Sequence, residues 1–419
     1  MKVRTPVTLV SPSFFLLFLP LSAALCFAVR AKYRAPVFLC VCVCFAFLAF
    51  GAAAWILLAV CALTLALRRA GRFAALPALC ALVLCRLFSF SCGGLAFLFL
   101  RTTSYAFSGE KRNPPLRDAV YLFAFPALSM GPTALYPAFS FDGGCDSAAQ
   151  LDGLVLYALG FFKKCAFADL LYAAAGQLKP SAGTLGAWIA LTAFCLGLYF
   201  DFSGYTDMAR GLARLFGFSL PQNFDHPYAA RSVGDFFRRW HASFGSWLFT
   251  YIYLPLGGSR HGKARLVLSL FAVWCVSALW HGATVCYLLF GLWFFAISLL
   301  EKLCLGGKEI GNFCTLFCVW IGFAFFFCQT PSDAAAFFAR LFWLGGAPLC
   351  APNDLYHLFR LAPLMLLAFL ISRGGFAPLV SRLWRAPALL RFSAAAILFF
   401  AGLCELSAGG HQPFLYAGF

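Results

Sequence analysis

Charge is what this sequence has least of. Only 11% of its 419 residues are Asp, Glu, Lys or Arg, and 63% are hydrophobic. A soluble domain carries about 25% charged residues, so water is the wrong solvent for most of this chain. Mean hydropathy is +0.85. Long polar linkers and internal repeats at solenoid periods are missing too, which leaves residues 1–419 to be read as a single domain. Apolar runs recur with short basic or Gly/Pro-rich breaks between them, the pattern of an all-α polytopic membrane protein.

Several chemical signatures are absent as well. There is no Cys-x-x-Cys pair, no Gly-x-Ser-x-Gly elbow and no Gly-rich phosphate loop. The 19 cysteines lie mainly inside apolar runs, as do Cys40, Cys42 and Cys44. There Cys acts as a small hydrophobe. Cys275, His281 and Cys286, taken on one helix, point about 240° and then about 140° apart, so no metal centre is expected. The net charge of +17 raises the question of nucleic acid. Its distribution answers no. Basic residues cluster between apolar runs: Arg30, Lys32 and Arg34; Arg68, Arg69 and Arg72; Lys163 and Lys164; Arg260, Lys263 and Arg265. Such clusters hold loops against anionic membrane lipids on the cytoplasmic side. No basic face interleaves with exposed aromatics as nucleic-acid binding requires.

What is present begins with the apolar segments, near 9–29, 37–50, 52–67, 74–100, 119–139, 151–175, 184–204, 264–284, 285–304, 311–329, 357–372 and 388–407. They predict about 10–12 transmembrane or re-entrant helices. The first follows Met1–Arg4 and resembles a secretory leader, but it is long enough to span and is expected to be retained. A hairpin hinged at Gly51 would put the 30–34 and 68–72 clusters on one face, with the N-terminus outside. Lys2 and Arg4 argue mildly the other way.

One stretch breaks the pattern. Between Tyr199 and Leu256 lie Asp201, Asp207, Asp225 and Asp235, four of the 15 acidic residues, with Arg210, Arg214, Arg231, Arg238 and Arg239. Pro221, Asn223 and Pro227 forbid a continuous helix through its middle. Polar, irregular backbone in a membrane protein belongs where it is buried in protein or lines a wet cavity, so the site is expected here. Ser232–Pro255 reads as one amphipathic helix in which Arg238, Arg239 and His241 sit among Phe236, Phe237, Trp240, Phe244 and Trp247. An interfacial anchor is the plainer role; lining a tunnel is the sharper one.

His281 is the leading catalytic candidate. It lies in SALWHGATVCYLLFG, and an ionisable group inside so apolar a run needs a reason. Ser277, Trp280, His281 and Thr284 are expected on one helix face. A histidine bridging two helices by hydrogen bonds is the alternative. His241, in a second polar pocket, favours chemistry: one imidazole deprotonates a hydroxyl while the other orients it or binds an oxyanion. His226, His261, His357 and His411 show no such context. Asp201 and Asp207 resemble a glycosidase pair, but pairing with the nearby arginines is the plainer role.

The runs YFDFSGYTDMARGLARLFGFSLPQNFDHPY, FFRRWHASFGSWLFTYIYLPLGGSR and LWHGA closely resemble the membrane-bound O-acyltransferase family, and most of all its alginate O-acetylation branch. Weaker likeness runs through LVSPSFFLLFLP, FPALSMGP and LGFFKKCAFAD, so that residues 9–330 are covered. The resemblance implies tilted helices around a central tunnel. It makes His281 catalytic and His241 a second tunnel histidine. Trp280, Trp240, Arg238, Arg239, Asp201, Ser203, Tyr205, Asp207 and Asn223 are then expected to line the tunnel or bind substrate. It also implies a cytoplasmic acyl thioester, such as acetyl-CoA, as donor substrate, with no permanently bound cofactor. The acceptor is a hydroxyl of an extracytoplasmic polysaccharide or cell-wall polymer, and an esterase-like partner protein often completes the transfer. The location implied is the bacterial cytoplasmic membrane. The chain departs from the family pattern at Phe237, at Ala242–Ser243–Phe244–Gly245 and at Phe290–Gly291. Two other activities compete: D-alanyl transfer to teichoic acid, and a transporter or flippase for a lipid-linked sugar, which broken helices also suit. A scaffold subunit serving a separate enzyme is a third reading.

Overall fold

The computed structural model describes residues 7–88, 90–109, 114–141, 146–180, 183–344, 346–409 and 411–415. Lys2 and Arg4 lie outside these. The fold is all-α; among the described residues the only β pairing is two isolated antiparallel bridges, Phe141–Phe218 and Phe224–Trp240.

In chain order the helices are α1 (Leu19–Ala28), which continues a π-helical turn at Phe14–Phe18, α2 (Ala31–Phe50), α3 (Ala54–Ala66), α4 (Leu76–Leu87), α5 (Leu95–Ala106) and α6 (Pro115–Phe123). Next, α7 (Ser147–Phe162) runs through a π turn at Lys163–Ala168 into α8 (Asp169–Leu178), followed by α9 (Thr184–Leu215), α10 (Val233–Arg239) and α11 (Ala242–Leu248). The last seven are α12 (Gly262–His281), α13 (Val285–Leu303), α14 (Asn312–Phe327), α15 (Pro331–Leu341), α16 (Asp354–Ser372), α17 (Ala377–Arg385) and α18 (Ala388–Ser407).

Six described helical stretches are long and apolar enough to cross a membrane: Ala31–Leu87, Thr184–Leu215, Gly262–His281, Val285–Leu303, Asp354–Ser372 and Ala388–Ser407. Phe14–Ala28 and Asn312–Phe327 are shorter apolar helices. The protein is a multi-pass membrane protein. These are stretches rather than single crossings: Ala31–Leu87 alone holds the runs 37–50, 52–67 and the start of 74–100, while proline and glycine divide other apolar runs. The run 74–100 is split between α4 and α5, and 119–139 leaves helix at Ala124, ahead of Pro126, Gly131 and Pro132. The hinge at Gly51 is present, with φ 56°.

Helix α9 is the axis of the fold. Its apolar window is 83% buried, against 11% for α18, which therefore faces lipid. Helices α7, α8, α14, α15 and α16 pack around it. The approach of α7 is set by glycines seven residues apart on each helix. A Cβ on Gly160 would fall 2.3 Å from the Gly204 carbonyl oxygen, and one on Gly153 would fall 2.5 Å from that of Gly211. Small residues at such crossings let backbones touch, which drives helix association in lipid.

Two expectations are corrected here. Lys163 and Lys164 are not a basic loop; they sit in the π turn between α7 and α8. Lys164 is fully buried, 2.7 Å from both Asp169 and Asp201, and Lys163 is 2.6 Å from Asp207. A buried ammonium needs carboxylate partners, and α8 and α9 supply them. The segment Ser232–Pro255 is not one helix either. It breaks at Trp240–His241, and His241 adopts left-handed backbone with φ 48° and ψ 46°.

Candidate active site

His281 ends α12. A Cβ at the next residue, Gly282, would lie 2.8 Å from the Tyr287 ring. Only glycine lets the chain turn there. Thr284 is therefore not on the His281 face; its hydroxyl caps α13 by accepting from Tyr287 N at 3.4 Å. The His281 imidazole is buried among rings, with centroids of Trp280 and Phe326 at 4.8 Å, Phe290 at 5.8 Å and Phe244 at 6.2 Å.

His241 lies across the same aromatic wall. Phe202 of α9 stands edge-on at 4.6 Å, Phe244 at 5.1 Å and Trp280 at 6.0 Å. Phe244 and Trp280 thus touch both histidines. Trp280 is anchored from α5, where its Nε1 donates to Ala96 O at 3.1 Å. Both imidazoles line one cavity of about 620 Å³, together with Phe237, Arg238, Trp240, Ser277 and Phe290. The walls are mostly apolar, so hydrogen bonds and charges inside act with little competition from water. Two imidazoles there supply a proton acceptor and a second polar contact.

The remaining expected residues divide. Arg238 and Trp240 line the cavity, whereas Arg239 turns to Asp235 at 3.0 Å. Asp201, Ser203, Tyr205 and Asp207 do not line it. Asp201 accepts from Lys164 and from Leu415 N at 3.0 Å; Tyr205 donates to Pro126 O at 3.0 Å; Asp207 pairs with Lys163 and with Arg210 at 3.3 Å. The partners of these carboxylates are mainly the two lysines, not the nearby arginines. His411 also finds a partner, Asp169 at 3.0 Å. Asn223 stands behind His241, its Oδ1 3.3 Å from the ring Nδ1.

Arg86 was missed. From α4 its Nη2 donates to Trp280 O at 3.2 Å, pinning the last turn of α12 beside His281. A guanidinium inside the apolar run 74–100 was the available signal. Among the described residues no three His, Cys, Asp or Glu side chains gather as a metal ion requires.

The profile of the membrane-bound O-acyltransferase (MBOAT) family matches residues 81–309, more than half of the chain and both histidines of this site. The chain belongs to that family. Its relatives include a probable alginate O-acetylase of Pseudomonas syringae pv. tomato, 34% identical over 221 residues, which are 50% of this chain and 42% of the relative. The corresponding protein of Azotobacter vinelandii is 28% identical over 379 residues, 78% of this chain and 75% of the relative. A peptidoglycan O-acetyltransferase of Helicobacter pylori is 39% identical over 143 residues, 33% of this chain and 27% of the relative. The first match thus spans less than half of that relative's length. Of the positions expected from the resemblance to depart from the family pattern, Phe237, Ala242, Phe244, Gly245 and Phe290 line the cavity.

Proposed function

We propose that this protein is a membrane O-acyltransferase that moves a short acyl group, acetyl, from a cytoplasmic thioester to a hydroxyl on an extracytoplasmic polysaccharide or cell-wall polymer, directly or through an esterase-like partner protein. It would do so in a bacterial cytoplasmic membrane. The observation that supports this most is the placement of two buried histidines in one largely apolar cavity. The names of the relatives, alginate O-acetylase and peptidoglycan O-acetyltransferase, support the acetyl group and the polymeric acceptor.

In this reading the acyl thioester enters the cavity with its carbonyl near His281. The acceptor hydroxyl gives its proton to that imidazole as its oxygen attacks the carbonyl carbon. The new C–O ester bond forms, the C–S bond breaks, and the proton passes to the leaving thiolate. His241 positions the acceptor beside it. The apolar walls keep out water, which would otherwise hydrolyse the thioester.

The test uses the purified full chain, labelled acetyl-CoA and a polysaccharide acceptor, with D-alanyl thioester in parallel. A positioned base contributes about 10²–10⁴-fold, so His281→Ala should lower turnover by that order while membrane insertion stays normal. Release of label by the wild type and full activity in His281→Ala would remove the assignment of the base. No loss of label from any thioester, with or without a partner protein, would favour a transporter. Preference for the D-alanyl donor would move the reading to the teichoic-acid activity.

A further inference from the structure

The left-handed turn at His241 has a visible cause. The extended chain after α9 passes alongside the break between α10 and α11 and is tied to it by hydrogen bonds. Asp225 N donates to Arg239 O, and Ala242 N to Asn223 O, each at 3.0 Å. Ser243 N donates to the side-chain Oδ1 of Asn223, also at 3.0 Å. A residue with a Cβ reaches φ 48° only at a cost of about 1–3 kcal/mol, and such strain persists where surrounding contacts over-determine it.

The donor and acceptor inventory then decides the state of the ring. Because a backbone N–H points at Asn223 Oδ1, that atom must be the oxygen; a flipped amide would set NH₂ against N–H. His241 Nδ1 lies 3.3 Å from the same oxygen. An oxygen lone pair cannot face a nitrogen lone pair in a hydrogen bond, so Nδ1 carries the hydrogen. Among the described residues no carboxylate pairs with this ring, and its neighbours are Phe97, Phe202, Phe244 and Trp280. A charge would be poorly supported there, which leaves the neutral ring with its lone pair on Nε2. That nitrogen has no hydrogen-bond partner among the described residues.

We infer that Asn223 is a positioning residue: it holds His241 as the Nδ1–H tautomer and thereby leaves Nε2 bare, to accept from a second O–H of the incoming acceptor beside the hydroxyl whose proton passes to His281. The role in catalysis rests on the acyl-transfer reading; the tautomer does not. Asn223 itself lies outside the cavity wall and acts only through the ring. The other tautomer, with hydrogen on Nε2, would present a donor at that place and could not accept the second O–H.

The experiment begins with the unmodified chain, labelled with ¹⁵N-histidine and reconstituted in lipid nanodiscs. Nitrogen NMR distinguishes protonated from bare ring nitrogens, and His241→Gln identifies the signals that belong to position 241. We expect a protonated Nδ1 and a bare Nε2. Hydrogen on Nε2, or an average of both tautomers, would overturn the inference without any variant having to fold. Asn223→Leu, which removes the acceptor, should lower kcat by about 10- to 100-fold, by analogy with the groups that orient metal-bound histidines from behind, with KM for the thioester unchanged. Asn223→Asp keeps the acceptor and should recover most of the rate with Nδ1 still protonated. If Asn223→Leu reduces only the yield of folded protein, with kcat per folded molecule and the ring signals intact, Asn223 is merely structural. If no form cleaves any thioester, the acyl-transfer reading fails while the nitrogen signals still answer the question of tautomer.

Discussion

Adding one methyl group between α7 and α9 should loosen the axis of the fold. In Gly160→Ala the new Cβ would stand 2.3 Å from Gly204 O and 2.7 Å from Met208 N. A carbon–oxygen contact needs about 3.3 Å, so the helices must separate by about 1 Å. Overpacking of this kind costs about 1–3 kcal/mol. Both contacted atoms are backbone and cannot rotate aside, which puts the expected loss near the upper end. Gly176→Ala on α8 is the matched control, since nothing lies within 4 Å of its Cβ position. There the same change should stabilise by about 0.5–1 kcal/mol through helix propensity. Thermal unfolding in detergent, followed by tryptophan fluorescence, should rank Gly176→Ala at or above the wild type and Gly160→Ala clearly below it. The displaced α9 carries Phe202, whose ring packs 4.6 Å from His241, so acyl transfer should fall with stability. Equal melting of Gly160→Ala and wild type would refute the close approach of the two helices.

Other perturbations follow from the same contacts. Lys164→Met leaves the fully buried Asp201 without its ammonium partner and Asp169 with only the His411 ring; the expected loss is about 3–5 kcal/mol, read as a lower melting temperature that Asp201→Asn in the same chain partly restores. Gly282→Ala drives a methyl to 2.8 Å from the Tyr287 ring, and turnover should drop about tenfold for every 1.4 kcal/mol of misplacement carried into the transition state. Wild-type kcat in that variant would show that the turn after His281 tolerates a side chain. Glu301 on α13 accepts from Val233 N at 2.6 Å and Gly234 N at 2.9 Å at the start of α10. Glu301→Leu strips both acceptors, at an expected cost of about 1–3 kcal/mol, and protease sensitivity should rise between α9 and α11 if α10 is held this way.

Residues that carry the site differed in how readable they were. His281 and His241 stood out because an imidazole in an apolar or aromatic run is costly wherever it ends up, and that cost is visible locally. Arg86 obeys the same rule and was passed over because it stood alone in its run, with no second charged residue or histidine to mark it. Asn223 was noticed for the right segment but assigned to substrate, since nothing in its neighbourhood along the chain says that it would face the back of a ring on another element. Lys163 and Lys164 looked like a loop cluster because Lys–Lys is usually solvated. Their carboxylate partners lie in α8 and α9, and only folding brings them near.

By itself the sequence determined the solvent, the helical class and the two imidazoles, because transfer free energies and helix geometry are properties of single residues and short windows. The tertiary structure decided which polar groups meet. It set Asn223 behind His241 and Arg86 at the end of α12, locked Lys164 between two aspartates, and broke the helix expected over Ser232–Pro255. Hydrogen bonds and ion pairs form between atoms a few ångströms apart in space, and no local period in the chain encodes that nearness.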